Sequence, residues 1–171
     1  AGTLRIVGST FTNNRASNGG ALGALGAGIT IVNTVIANNT ASGFGANFVE
    51  GGVQMGMGGN GGGLSMDGRG RELVICGATF SGNQSGAHGG AIFRTGYVGE
   101  RNDIDLSTFD GNFTLDRTGM DEPSSGGGLY LQGVHVRITG STISRNRARS
   151  SAGLWVLGHG EQAAVVELTN V

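Results

Sequence analysis

Short runs in which apolar and polar residues alternate recur along the chain. The runs have a period of two and are interrupted after a few residues by Gly or Asn, a pattern that predicts short β-strands and no sustained helix. Five such runs are Leu4–Ile6, Ile29–Ile31, Leu73–Ile75, Asp103–Asp105 and Val136–Ile138. A sixth run covers Val166–Leu168. The hydrophobic pattern therefore predicts an all-β chain of repeated short strands.

Two sequence words accompany these strands. In the first word, an apolar residue is followed three positions later by Asn. Its apolar members are Phe11, Ile36, Phe80, Phe109 and Ile143, and its Asn members are Asn14, Asn39, Asn83, Asn112 and Asn146. The second word is Gly-Gly-Ala-Ile at 89–92, with variants at 19–22, 62–64, 127–130 and 152–155. Self-similarity at intervals of a few tens of residues indicates a repeat architecture.

The repeats predict a parallel β-solenoid. A strand this short cannot bury its apolar face alone, whereas stacking each repeat on the next buries a continuous core. We therefore expect one domain over residues 1–171, with about five coils and a partial sixth strand. The apolar members of the first word should form an interior stack. Its Asn members should form a ladder at a corner, because Asn tolerates left-handed backbone and its amide can bond the backbone or the next Asn.

Both words resemble the Phe-x-x-Asn and Gly-Gly-Ala-Ile repeats of polymorphic outer-membrane proteins, which are autotransporter-like adhesins. More broadly, the chain resembles the right-handed parallel β-helix of the pectate-lyase-like superfamily. The resemblance covers nearly the whole chain and implies a right-handed β-helix at the cell surface or outside the cell. That superfamily includes lyases, hydrolases, tailspikes and adhesins, so the resemblance implies a fold more than an activity.

Composition narrows the possible functions. The net charge of -1 argues against nucleic acids and acidic membrane surfaces as partners. A single cysteine, Cys76, excludes an internal disulfide framework. The 36 glycines come with a single proline and with periodic apolar residues, which argues against disorder. No apolar run is long enough to span a bilayer as a helix.

Two long insertions, 40–61 and 113–126, fall at the same corner of the repeat and flank the short corner Gln84–His88. Adjacent coils lie about 4.8 Å apart, so projecting loops two coils apart would start about 10 Å apart. We therefore predict a binding cleft with His88 on its floor. The residues predicted to line its walls are Phe44, Phe48 and Glu50 on one side, and Asp116, Arg117, Asp121 and Glu122 on the other.

No set of residues specifies a catalytic or metal site. Gly158-His159-Gly160 matches one word of polygalacturonase-like glycosidases, but the companion words of those enzymes are absent. Glycoside hydrolysis needs two facing carboxylates, and none can be assigned. Asp116, Asp121 and Glu122 could supply some of the six to eight oxygen ligands that calcium takes, or could form a solvated acidic loop. We therefore predict no cofactor, with calcium as the one open possibility.

The sequence favours a non-enzymatic, extracellular structural or adhesive module. Its first and last strands expose edges, which could pair with the rest of a longer chain or with a second copy to build a surface fibre. In that fibre Val166–Val171 would pair with Leu4–Phe11 of a neighbour, bringing Glu167 beside Arg5. The alternative is a β-helix that binds or cleaves polysaccharide in the cleft above His88.

Overall fold

A computed structural model describes residues 2–43, 49–50, 53–54, 58–116, 123–161 and 163–171 of the chain. All the regular structure in this part of the chain consists of strands and turns, arranged as successive coils. Coil one contains β1 (Gly2–Val7), β2 (Thr10–Thr12), β3 (Arg15–Ala16) and β4 (Leu22–Leu25). Coil two contains β5 (Ala27–Val32), β6 (Val35–Ala37), β7 (Thr40–Ala41), β8 (Val49–Glu50), β9 (Val53–Gln54) and β10 (Leu64–Asp67).

The remaining coils follow the same order but fuse some of the strands. Coil three contains β11 (Leu73–Cys76), β12 (Thr79–Ser81), β13 (Gln84–Ser85) and the first part of β14 (Ile92–Asp105). Coil four contains the second part of β14, then β15 (Thr108–Asp110), β16 (Phe113–Thr114) and the first part of β17 (Leu129–Thr139). Coil five contains the second part of β17, then β18 (Thr142–Ser144) and β19 (Leu154–Leu157). The chain then enters β20 (Val165–Thr169).

Three parallel sheets run along the stack. The largest sheet has two faces. The strands that open each coil form face A1, which contains β1, β5, β11, the second parts of β14 and β17, and β20. The strands that close each coil form face A2, which contains β4, β10, the first parts of β14 and β17, and β19. The second contains β2, β6, β12, β15 and β18, and the third contains β3, β7, β13 and β16. Only β8 and β9, among the strands described, pair in antiparallel fashion. This arrangement confirms the predicted parallel β-solenoid of five coils with a sixth strand.

The apolar residues of the first word lie one above another along the second sheet. Phe11, Ile36, Phe80, Phe109 and Ile143 are paired in register through the second sheet. The rings of Phe80 and Phe109 are stacked with centroids 5.2 Å apart, and both residues are fully buried. Burying each such side chain contributes about 1.5–3 kcal/mol, so the stack is a principal part of the hydrophobic core.

The Asn residues of the first word form a ladder with regular hydrogen bonding. Asn39 Oδ1 accepts hydrogen bonds from both the backbone N–H and Nδ2 of Asn14, at 3.0 and 2.9 Å. Asn39 Nδ2 also donates to the carbonyl of Phe11, at 3.0 Å. The same three bonds recur at Asn83, Asn112 and Asn146. The ladder Asn of each coil thereby provides hydrogen-bond partners for backbone groups at the corner of the preceding coil.

One part of the Asn prediction was wrong. The left-handed backbone at this corner belongs to the residue before each ladder Asn, as at Asn38 with a φ of 56° and Gly82 with a φ of 60°. Left-handed backbone suits Gly, which has no Cβ to clash with the neighbouring carbonyl, and Asn, whose short polar side chain can hydrogen-bond locally. The ladder Asn is therefore needed for its amide and not for its backbone conformation.

A second ladder, made of hydroxyl groups, lies at the corner between face A1 and the second sheet. Ser107 Oγ accepts the N–H of Ala78 at 3.1 Å, and Ser141 Oγ accepts the N–H of Ser107 at 3.0 Å. The hydroxyl of Ser107 also donates to the carbonyl of Asp105, at 2.7 Å. A short hydroxyl side chain two residues after the strand therefore closes this corner.

Candidate functional site

His88 lies at the short corner of coil three, as predicted, but it is buried, with only 6% of its surface exposed. Its ring centroid lies 4.8 Å from that of Tyr130, which in turn is stacked on Phe93 at 5.0 Å. The corner histidine is therefore one end of an aromatic cluster.

The aromatic cluster lies on the outer side of face A2. Ile92 and Leu129 belong to the hydrophobic core, and side chains alternate along a strand, so Phe93 and Tyr130 point outward. Trp155 is paired in register with Tyr130 in the next coil. The row Phe93–Tyr130–Trp155 thus crosses three coils along the solenoid axis. Phe93 and Tyr130 are buried despite facing outward.

The predicted walls of the cleft lie mostly outside the described residues. This applies to Phe44, Phe48, Arg117, Asp121 and Glu122, and to the side chain of Glu50 in β8. Asp116 is described, and its carboxylate lies 3.6 Å from the guanidinium of Arg149 in coil five. The cleft therefore stays a prediction.

A ladder of outward side chains, most of them charged, runs along the outside of face A1. Its six residues are paired in register from coil to coil, and they are Arg5, Thr30, Val74, Asp103, Arg137 and Glu167. Asp103 Oδ1 accepts from Nε of Arg137 at 2.9 Å, and its other oxygen lies 3.4 Å from Nε of Arg101. The hydrogen bond to Asp103 raises the pKa of Arg137. A shallow cavity of about 300 Å³ lies here, lined by Arg101, His135, Arg137, Val165 and Glu167 among others.

The bend that joins face A2 to face A1 contains a buried polar cluster. Arg94 is fully buried and aligns with Met66 and Leu131 in the adjacent coils, which are core residues. Nε of Arg94 donates to Asn102 Oδ1 at 3.2 Å, and its terminal nitrogens donate to the carbonyls of Thr95 and Arg71. Burial lowers the pKa of Arg94, and the nearby carboxylates oppose this effect.

Glu100 provides an acidic group in the same cluster. Its carboxylate accepts hydrogen bonds from the backbone N–H groups of Gly70 at 2.6 Å, Tyr97 at 2.8 Å and Val98 at 3.2 Å. Burial acts to raise the pKa of Glu100, but the backbone hydrogen bonds outweigh it, so the pKa is lowered. Glu100 is therefore a carboxylate held by main-chain donors.

Tyr97 lies on the outer side of this bend. Its ring meets that of His159 edge-on with centroids 4.8 Å apart, and Gln132 Nε2 lies 3.3 Å from His159 Nδ1. Burial, together with Asp67, raises the pKa of Tyr97 to about 12. His159, the centre of the Gly-His-Gly word, therefore packs against an aromatic side chain and an amide.

Sequence reasoning missed the Arg94–Glu100 cluster. One signal was present, because the register of the Gly-Gly-Ala-Ile word aligns Arg94 with Met66 and Leu131 and so places a charge in a core row. Its partner Glu100 could not be inferred, because the pairing depends on the irregularity of β14 between Thr95 and Glu100.

Two features are absent from the residues that the structure describes. No group of three or more His, Cys, Asp or Glu side chains within these ranges could hold a metal ion. The calcium prediction rests on Asp121 and Glu122, which lie outside these ranges, so it stays a prediction. In the same ranges, no helix has the length and apolar character needed to cross a membrane.

The fold defines the class: a parallel β-solenoid built from repeated Phe-x-x-Asn and Gly-Gly-Ala-Ile words. Residues 8–24 and 77–93 match the family model described as the Chlamydia polymorphic membrane protein repeat. The two segments hold equivalent parts of coils one and three, each with both words. The match covers less than half of the chain, so it shows repeats similar to those of that family. No curated protein and no solved structure matches the chain.

Proposed function

We propose that this chain is a non-enzymatic structural and adhesive module displayed at a cell surface. The observation that carries the proposal is the match of two coils to a polymorphic membrane protein repeat, within a solenoid whose Asn ladder continues through all five coils. A rigid stack with a regular core can present the outside of several coils to a partner at once. Function would then depend on the outer faces and corner segments.

Surface display is tested by adding protease to intact cells of the organism that encodes the chain. We expect the chain to be cleaved while a protein of the cell interior stays whole. Cleavage that occurs only after the cells are permeabilised would contradict surface display. Because the test uses the native protein, it does not depend on how much of it this chain represents.

Adhesion is tested with beads that carry the purified chain and are layered on cultured epithelial cells. A matched control is a bead that carries an unrelated β-solenoid of similar net charge. Attachment that exceeds the control and is inhibited by soluble chain supports adhesion. Attachment equal to the control would contradict the adhesive role and would support a structural role alone.

We also propose that the outermost strands pair with a further coil, from a continuing chain or from a second copy. A strand beside β20 that extended the existing register would place Arg5 next to Glu167 and Leu4 next to Val166. Light scattering over a concentration series tests the second-copy form, which predicts association that weakens in Arg5→Glu and returns in Arg5→Glu combined with Glu167→Arg. A monomer at all concentrations rules out that form.

Saccharide binding at the His88 corner is a second candidate function. The observation that favours it is the half-buried Trp155 at the end of the row Phe93–Tyr130–Trp155, since aromatic rings are common stacking surfaces in ligand sites and the buried Phe93 and Tyr130 would support this one. A panel of neutral and acidic oligosaccharides tests both binding and cleavage. We expect His88→Ala to reduce any binding and His135→Ala, on face A1, to leave it unchanged. Absence of binding and of cleavage across the panel would reject this candidate.

A further inference from the structure

Arg94 occupies a position where the solenoid otherwise places apolar side chains. Met66 precedes it in the row and Leu131 follows it. Burying an unpaired charge is costly, and even a well-paired buried charge rarely stabilises a fold more than an apolar side chain would. A buried arginine at this position is therefore better explained by the conformation that it fixes than by the packing it provides.

The guanidinium of Arg94 holds the carbonyl groups of one turn. This turn joins β10 to β11 and contains Gly68 and Arg71, whose carbonyls both accept from Arg94. Asn102 supports the arrangement from the other side, since its Oδ1 accepts from Arg94 while its Nδ2 donates to the carbonyl of Glu100 at 2.7 Å. The carbonyl side of the turn is thus bound to a side chain that cannot lose its charge at ordinary pH.

The carboxylate of Glu100 holds the amide groups of the same turn and of the turn above it. Gly70 belongs to the first turn, and Tyr97 and Val98 belong to the turn 96–99 in the middle of β14. Turn 68–71 is therefore bound by both Arg94 and Glu100, whereas turn 96–99 is bound by the carboxylate of Glu100. In coil four, by contrast, the chain passes the bend at the single residue Gly133 within β17.

We propose that Arg94 and Glu100 form a conformational lock that fixes the turns 68–71 and 96–99 against each other and presents Tyr97 and Val98 in one preformed conformation. Tyr97 is 37% exposed and Val98 is 44% exposed, although their backbone N–H groups are tied to a carboxylate that is only 5% exposed. A surface turn that is already ordered loses less entropy when it meets a partner. The lock goes beyond the proposed adhesive role and does not depend on it.

Amide hydrogen exchange measured residue by residue by NMR tests the lock. Arg94→Met restores the side chain that coil two uses at this position, and Glu100→Gln removes the charge and one acceptor oxygen. We expect each variant to speed exchange at Gly70, Tyr97 and Val98 by more than about tenfold. The double variant should be affected no more than the worse single variant, because each substitution alone leaves the other group without its counter-charge.

The controls separate local unlocking from general loss of stability. Exchange at Ile75 and Ile104 in the core should stay unchanged in the variants. Arg137→Met, which removes an exposed arginine from an ion pair on face A1, should leave the exchange of both turns unaltered. The lock is refuted if turn exchange is unchanged in Glu100→Gln, or if core amides accelerate by the same factor as the turns. Should Arg94→Met fail to fold, Glu100→Gln alone still decides the matter, and loss of adhesion is not needed as a readout.

Discussion

Asn83 Oδ1 accepts two hydrogen bonds from Asn39 in the coil before it, one from the backbone N–H and one from Nδ2, both 3.0 Å long. Asn83 Nδ2 meanwhile donates to the carbonyl of Ile36 at 2.8 Å. One side-chain amide thus satisfies two backbone groups and one side chain in a fully buried corner. The ladder therefore sets the path of the chain at this corner as well as the spacing between coils.

Asn83→Ala should destabilise the fold by at least about 3 kcal/mol, because it leaves a buried N–H of Asn39 and a buried carbonyl of Ile36 without partners. Urea unfolding followed by circular dichroism measures the loss. Asn14→Ala is the matched control, since Asn14 lies at an exposed position of coil one and should cost far less. Equal losses for the two variants would show that the ladder does not stabilise the interior coils.

Gly90→Ala should destabilise the fold by about 3 kcal/mol or more, because a Cβ there would lie 2.1 Å from the carbonyl oxygen of Gly127 and force neighbouring coils apart. Gly23→Ala in β4 is the matched control, since a Cβ at that position meets nothing within 4 Å. Thermal unfolding of both variants measures the difference. A stable Gly90→Ala variant would contradict the tight spacing of the coils at this corner.

Tyr97 should ionise near pH 12, whereas an ordinary tyrosine ionises near 10.0. Because the pKa is raised in the folded state, the contribution of neutral Tyr97 to stability is complete below about pH 10 and is lost as the pH rises towards 12. The chain has two tyrosines, so the absorbance of phenolate in Tyr130→Phe reports Tyr97 alone. Ionisation of Tyr97 at about pH 10 would contradict its placement beside Asp67. Adding Tyr97→Phe to the Tyr130→Phe variant should remove the phenolate signal.

Asp110 should contribute to an acid-dependent loss of stability. Hydrogen bonds from Arg145 and Ser144 lower the pKa of Asp110 to about 2, from an ordinary value of 3.8. A lowered pKa means that the contribution is present above about pH 4 and is lost as the pH falls towards 2. We expect Asp110→Asn to reduce the difference in unfolding free energy between about pH 6 and about pH 3, by a small amount because the pair is exposed. Arg145→Met should have the same effect, and a pH dependence unchanged in both variants would contradict the pairing.

The sequence predicted the parts of the fold that the repeat encodes directly. A Phe or Ile followed three residues later by Asn recurs in every coil, as at Phe80 and Asn83, so the stacking of these residues follows from the need to bury a short strand against its neighbours. The same alternation and register place Asp103 beside Arg137 on the outside of face A1. Such features depend only on register, which the repeated words define.

Features that depend on departures from the repeat were not predicted. Arg94 fits the pattern of an alternating strand, and its hydrogen bonds to the carbonyls of Gly68, Thr95 and Arg71 depend on the turns and the irregular part of β14, which the repeat does not encode. His88 was predicted as the floor of a cleft, and its burial against Tyr130 depends on an aromatic row that the core-facing pattern did not reveal. The cleft walls, including Asp121 and Glu122, lie outside the described residues.

The corner next to His88 has fixed points of entry and exit. Coil three enters it with Gln84 donating to the carbonyl of Asn39, and coil four enters with Phe113 donating to that of Asn83, at 2.8 and 2.9 Å. The exits match as well, since Gly61 donates to His88 and Gly89 to Ser125. The intervening segment varies from the short corner of coil three to the insertions 40–61 and 113–126, yet the coils on either side keep their register. This corner is thus a position where segments of new length and composition can be exchanged, by evolution or by design, without repacking the solenoid.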